Sequence, residues 1–122
     1  HVDLTVLGGL QVDQRGRLAN WMVPGKMVPG MGGAMDLVSG ARRVVVAMQH
    51  TARGASKIVK ECTLPLTSVR PIGLLVTELA VIAFPNAAAT LVETAPGVTA
   101  AQVAVATEAE LLIPDHVSEM AL

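Results

Sequence analysis

Apolar residues along the chain fall into short dense runs separated by glycine, proline and charge. "VDLTVLGG" (2–9) is rich in β-branched and apolar residues and closed by a glycine pair. That pattern predicts a strand buried on both faces and ending in a turn. "QVDQRGRLANW" (11–21) sets Gln14-Arg15-Gly16 between short apolar flanks, which predicts a small hairpin. "GGAMDLVSGARR" (32–43) opens on glycines, with Asp36 in its first turn and Arg42 and Arg43 at its end, charges that complement a helix dipole at both termini. "RVVVAMQH" (43–50) is a second buried strand. Strand, Gly-rich loop, helix and strand in this order form a βαβ crossover, expected to be right-handed.

Farther along, "TARGASK" (51–57) is polar and glycine-containing and predicts a loop, while "KIVKECTLPLTS" (57–68) starts as a helical turn or short strand and is stopped by Pro65. "GLLVTELAVIAF" (73–84) is strand-rich, and with "ATLVETAPG" (89–97) it predicts an antiparallel hairpin over 79–94. "TAAQVAVATEAE" (99–110) is alanine-rich with Thr99 as a cap, and predicts a short helix. The tail, "LLIPDHVSEMAL", predicts a final short strand and a loosely held end. The fold class is therefore α/β, in one domain.

Composition narrows the function classes. The chain has 122 residues, 52% of them hydrophobic and 16% charged, which suits a folded domain rather than a disordered one. Trp21 and Phe84 are its only aromatics, so the core must come from aliphatic side chains. A net charge of −1 with scattered basic residues supplies no stripe for nucleic acid and no polybasic membrane patch. The longest apolar run, "IGLLVTELAVIAF" (72–84), is interrupted by Thr77 and Glu78 and falls short of the roughly 20 residues a bilayer requires. Cys62 stands alone, so no disulfide framework is expected, and the thiol reads as inert in a reducing, cytosol-like compartment. The start at His1, followed almost at once by a strand, reads as a piece of a longer protein.

Candidate chemistry is sparse. His1, His50 and His116 have no ligand spacing with one another or with Cys62, so no metal site is expected. His50 closes a strand whose carbonyl end would face a ligand in an α/β sheet, and is either a ligand-facing group or a satisfied structural histidine. The acids Asp3, Asp13, Asp36, Glu61, Glu78, Glu93, Glu108 and Glu110 show no pairing by spacing, and neither Gly-x-Ser-x-Gly nor a phosphate loop occurs. Gly30, Gly32 and Gly33 precede the predicted helix. Glycines at such a place either let the backbone approach an anion or oxyanion with free N–H groups, or simply make a tight turn.

One long segment, "GRLANWMVPGKMVPGMGGAMDLVSGARRVVVAMQHTARG", is similar to the B subunit of 3-oxoacid coenzyme A transferases of the succinyl-CoA:3-ketoacid type. The similarity continues through "KIVKECTLPLT", "VTELAVIAF" and "VETAPGVT", and so covers nearly the whole chain. What the resemblance implies is a coenzyme A-transferase-type, mainly parallel sheet with flanking helices and a C-terminal hairpin, residues 1–122 being a single domain from the C-terminal portion of that subunit. It also implies ping-pong transfer from an acyl-CoA to a 3-oxoacid such as acetoacetate, through a glutamyl-CoA thioester on the enzyme. Coenzyme A is then a substrate, with no further cofactor. The expected partner is an A subunit in a hetero-oligomer, in the cytoplasm or, in a eukaryote, the mitochondrial matrix.

The family's nucleophile lies in a Ser-Glu-Asn-Gly segment that does not occur in these residues, so none of the glutamates here inherits that role. The family's glycine loop matches Gly30-Met31-Gly32-Gly33-Ala34, which makes Gly32 and Gly33 the oxyanion-donor candidates. Asn20, Lys26, Gly30, Met31 and His50 are the substrate-binding candidates. A 3-oxoadipate- or acetate-type transferase, a noncatalytic assembly module and a small-ligand binding domain are the alternative readings.

Overall fold

In the computed structural model, residues 4–19, 43–66 and 71–120 are described. The predicted helix over 32–43, the crossover it belongs to and the glycine loop lie outside them. Strand β1 (Leu4–Leu7) pairs in parallel with β4 (Arg43–Ala47), in the register Leu4↔Arg43 to Leu7↔Val46. β4 pairs in parallel with β8 (Leu74–Val76), where the apolar run 73–84 begins. The run then turns back: β9 (Ala80–Ala83) is antiparallel to β8, and β10 (Thr90–Thr94) antiparallel to β9. The expected 79–94 hairpin is thus present.

With β11 (Ser118–Glu119) parallel to β10, the sheet has six strands in the order β1-β4-β8-β9-β10-β11. β1, β4 and β8 form a parallel half, in which Val44, Val46 and Leu75 are buried while Val45 is half-buried and Ala47 exposed, so β4 is buried on one face rather than on both as its run of valines predicted. β8, β9 and β10 pair antiparallel, and β9 alternates, with Ala80 and Ile82 buried and Val81 and Ala83 half-buried. A register shift between Leu91 and Glu93 turns Val92 outward.

The hairpin expected at 11–21 is β2 (Gln11–Asp13) with β3 (Leu18–Ala19). On its other side β2 takes β7 (Ile58–Val59) in parallel, resolving "KIVKEC" as a short strand. This three-stranded sheet packs on the large one through Val12, Leu18 and Ile58, which meet Val46, Leu75 and Ile82 in one core. Burying each such aliphatic side chain is worth about 1.5–3 kcal/mol. Gly16 sits at φ +83°, and an added Cβ would come within 2.8 Å of Phe84. Its carbonyl accepts the Ile72 N–H at 2.8 Å, so the turn is clamped between the two sheets.

Residues 51–57, expected as a loop, instead form a small ribbon of β5 (Thr51–Ala52) and β6 (Ala55–Ser56). Arg53 and Gly54 at its tip both have positive φ, the geometry that matches the twist of a two-residue hairpin. Helix α1 (Ala100–Val105) begins where Thr99 predicted. Thr99 Oγ1 accepts the Gln102 N–H at 3.1 Å while Gln102 returns its side-chain oxygen to the Thr99 N–H at 2.8 Å, a reciprocal capping box. The helix is shorter than the 99–110 stretch because the chain leaves it to bond Ala109 N–H to Ile58 carbonyl. In the tail, 111–113 contributes a single bridge, Thr90↔Leu112, and the paired strand comes later, at 118–119. Pro114 offers no N–H to extend a ladder.

Candidate functional site

Because β1, β4 and β8 run parallel, their carbonyl ends share one edge of the sheet, the edge at which α/β sheets hold ligands. Gly8-Gly9, Met48–His50 and Thr77-Glu78 follow the three strands there. Gly9 has no room for a side chain: a Cβ would lie 2.9 Å from Leu18 Cδ1 and 3.1 Å from Val46 Cγ1. Met48 N–H donates to the Val76 carbonyl at 3.1 Å, carrying the β4–β8 pairing one step past the strands. Gly8, Gln49 and Glu78 are exposed along this edge.

His50 lies behind it, fully buried. Its ring nitrogens engage two hydroxyls, Nδ1 with Thr77 Oγ1 at 2.9 Å and Nε2 with Thr107 Oγ1 at 2.7 Å. Its backbone is held as well. The N–H donates to Glu78 Oε1 at 2.7 Å, and the carbonyl accepts from Lys57 N–H at 2.9 Å. The Lys57 ammonium reaches the Gly9 carbonyl at 3.3 Å. Desolvation lowers the imidazole pKa below its ordinary value, opposed by the nearby Glu78 charge. Of the two readings of this histidine, the enclosed ring matches the satisfied structural one, since both nitrogens are already engaged within the fold.

The other six candidates, Asn20, Lys26, Gly30, Met31, Gly32 and Gly33, lie outside the described residues. Spacing alone missed the grouping of Thr77, Glu78 and Thr107 with His50. Its one visible signal is the Thr-Glu pair interrupting the apolar run at 77–78, a polar intrusion that needs partners in a core.

A second buried polar group, Asp13, serves the β2–β3 turn. Its carboxylate accepts the N–H groups of Arg15 and Arg17 at 3.0 Å each and the Arg17 Nε at 2.7 Å. Cys62 lies nearby, half-buried, its Sγ 3.5 Å from the Arg17 carbonyl. Burial, aided by Asp13 and opposed by Arg17, pushes its thiol up to about 11, so at neutral pH it is not a thiolate nucleophile. Among the described residues, no three His, Cys, Asp or Glu side chains gather as metal ligands and no helix is long and apolar enough to cross a membrane.

The model of the family described as coenzyme A transferase matches residues 1–106. The chain belongs to this family. It is 55% identical over 121 residues to the β subunit of acetate CoA-transferase from Haemophilus influenzae, covering 98% of this chain and 54% of that protein. It is 54% identical over 111 residues to the B subunit of succinyl-CoA:3-ketoacid coenzyme A transferase from Helicobacter pylori, covering 90% and 54%. The chain thus spans about half the length of these two relatives.

Among solved structures, the decarboxylase AibA/AibB superposes with a TM-score of 0.79 at 27% identity, covering 99% of this chain and 52% of that one. Glutaconate coenzyme A-transferase from Acidaminococcus fermentans gives 0.73 at 19% identity, covering 97% and 52%, a likeness of fold. The α/β architecture with a parallel half-sheet and a C-terminal hairpin is therefore that of coenzyme A transferases.

Proposed function

We propose that this chain is part of the B, or β, subunit of a coenzyme A transferase that, with an A subunit, moves coenzyme A from succinyl-CoA to a 3-oxoacid such as acetoacetate. The observation that carries the reading is the identity above one half to named B and β subunits over almost the whole chain. The chemistry is acyl exchange. An enzyme glutamate attacks the thioester carbonyl and expels the thiolate; the thiolate attacks the glutamyl carbonyl of the resulting anhydride and releases the first acid. The acceptor carboxylate then reverses these steps on the glutamyl-CoA.

No glutamate of this sequence stands in Ser-Glu-Asn-Gly, so the nucleophile is assigned to a segment outside these residues. This chain's contribution is the loop Gly30-Met31-Gly32-Gly33, whose amides would face the developing oxyanion. Asn20, Lys26 and Met31 would line the substrate beside it. One such donor is worth about 3–4 kcal/mol of transition-state stabilisation. Coenzyme A acts as substrate, and the lone Cys62 is compatible with a cytoplasmic setting.

Acetate in place of acetoacetate is the second reading, favoured by the Haemophilus influenzae relative. Both are tested on the complete complex of the two subunits, with succinyl-CoA offered to acetoacetate or to acetate. Thioester formation is followed by mass spectrometry in wild type and in Gly32→Val and Gly33→Val. A loss of roughly 10²–10³ in single-turnover rate without matching loss of fold is expected in at least one variant. Near-normal thioester formation in both would overturn the oxyanion assignment, and no transfer to either acid would overturn the reaction.

A further inference from the structure

We propose that His50 is a positioning residue for the Glu78 carboxylate, which is the group that the carbonyl-end edge of the sheet offers to a hydrogen-bond donor of the coenzyme A thioester. The inference rests on the coenzyme A-transfer reading above.

The hydrogen-bond directions fix the state of the ring. Thr107 Oγ1 lies 2.6 Å from the Val103 carbonyl, which can only accept, so the hydroxyl hydrogen of Thr107 goes there. Toward His50, Thr107 is therefore an acceptor, and Nε2 must carry a hydrogen. On the other side, Thr77 Oγ1 accepts the N–H groups of Leu79 and Ala80 at 3.1 Å each, which occupies both of its lone pairs. Its own hydrogen has Nδ1 at 2.9 Å and the Ala80 carbonyl at 3.4 Å, and the shorter contact is the one to the ring. Nδ1 is thus an unprotonated acceptor. The imidazole is the neutral Nε2–H tautomer, and a second ring proton would find no lone pair on Thr77 unless a backbone N–H of the β8–β9 turn let go.

That turn carries Glu78. The chain leaves β8 at Val76, is pinned at Thr77 by the ring and by the N–H groups of Leu79 and Ala80, and re-enters the sheet at Ala80. Between these anchors Glu78 projects at the exposed edge, and its Oε1 is fixed by the His50 N–H. His50 therefore holds the glutamate twice, through its amide directly and through its ring by way of Thr77. Thr107 extends the brace to the end of α1, a segment 57 residues away. Among the described residues, the charged groups facing this node are Glu78 from the β8–β9 turn and Lys57, whose N–H bonds the His50 carbonyl.

Among the described residues only Oε1 of Glu78 is engaged, and a carboxylate accepts hydrogen bonds without donating any. It suits an amide N–H, of the kind the arm of coenzyme A carries, and repels the carboxylate of the acceptor acid. Gln49, exposed on the same edge, can both donate and accept.

The test uses the complete two-subunit enzyme. Imidazole ¹⁵N spectra of the wild type should show His50 as Nε2–H with a bare Nδ1 at neutral pH. Glu78→Ala should raise the KM for the acyl-CoA about tenfold while leaving that of the acceptor acid unraised, the size expected for a lost hydrogen bond to a charged group. Thr107→Val should raise the same KM severalfold in the folded fraction, with Thr107→Ser restoring it. A purely structural brace would lower folded fraction and leave KM unchanged. An Nδ1–H or doubly protonated ring, or an unchanged acyl-CoA KM in both Glu78→Ala and Thr107→Val, overturns the proposal. If the wild-type complex transfers nothing, the functional reading has failed by itself. Calorimetric titration with coenzyme A then decides: weaker binding in Glu78→Ala upholds the proposal and equal binding overturns it.

Discussion

Asp13 and His50 are both fully buried polar side chains, and they are satisfied in opposite ways. Asp13 closes its own turn, accepting from Arg15 and Arg17 two and four residues away, with the Arg17 side chain completing an ion pair. His50 draws its ring partners from 27 and 57 residues away and joins the end of β4 to the β8–β9 turn and the end of α1. The first is a local device, a charge neutralised within one hairpin. The second is a long-range brace built from neutral groups. The difference matters because a buried charge requires a partner of opposite sign, whereas a neutral imidazole requires only one donor and one acceptor correctly placed.

Removing the charge partner should have the largest effect. Asp13→Ala leaves the Arg17 guanidinium and two N–H groups without their acceptor, and is expected to cost about 3 kcal/mol in chemical denaturation. The second Arg17 contact, to exposed Glu61 at 3.9 Å, is too weak to compensate. A loss under about 1 kcal/mol would show that the hairpin does not depend on its ion pair.

Thr107→Val removes the acceptor of the His50 Nε2 hydrogen and the donor to the Val103 carbonyl while keeping the side chain's shape, and should cost about 1–2 kcal/mol, less than Asp13→Ala because no charge is orphaned. If it costs more than Asp13→Ala, the ranking of the two nodes is reversed.

Acid titration separates the nodes by sign. The folded pKa of His50 is lowered by burial, so below the ordinary value of 6.5 the unfolded chain takes up a proton that the folded chain refuses. Stability should therefore fall as pH drops through 6.5 toward the folded pKa, and be independent of this residue above that window. One proton limits the slope to about 1.4 kcal/mol per pH unit. His50→Gln should flatten the slope between pH 6.5 and 5 in calorimetric melting; an unchanged slope would mean that other groups produce it.

The smallest effect concerns backbone. The β2–β3 turn uses Gly16 at positive φ, whereas the β9–β10 turn sets Asn86 and Ala87 at φ 55° and 57° with no glycine. Ala87→Gly should add about 0.5–1 kcal/mol by relieving the left-handed strain. Destabilisation instead would show that Ala87 contributes packing worth more than its strain.

Features built from neighbouring residues were legible in the sequence. Within the described residues, strands at Leu4–Leu7 and Arg43–Ala47, the hairpin of Gln11–Asp13 with Leu18–Ala19, the hairpin over 79–94 and the Thr99 cap fall inside the segments where the pattern placed them. The pattern misleads where a short element lacks apolar periodicity. The β5–β6 ribbon is polar and held by its Arg53-Gly54 turn, and the tail's pairing moved past Pro114 to 118–119.

By itself, then, the sequence determined most of the extended segments and the Thr99 cap, because strand period and capping are interactions over a few residues. It also carried the family likeness. Only the tertiary structure decided that β8 turns back antiparallel after joining β4 in parallel, and that Thr77, Glu78 and Thr107 converge on His50. Periodicity states that a position is buried and leaves its partner open. Partners separated by 27 and 57 residues meet only once the sheet order has closed the intervening chain, and the directional demands of each ring nitrogen are satisfied at that stage.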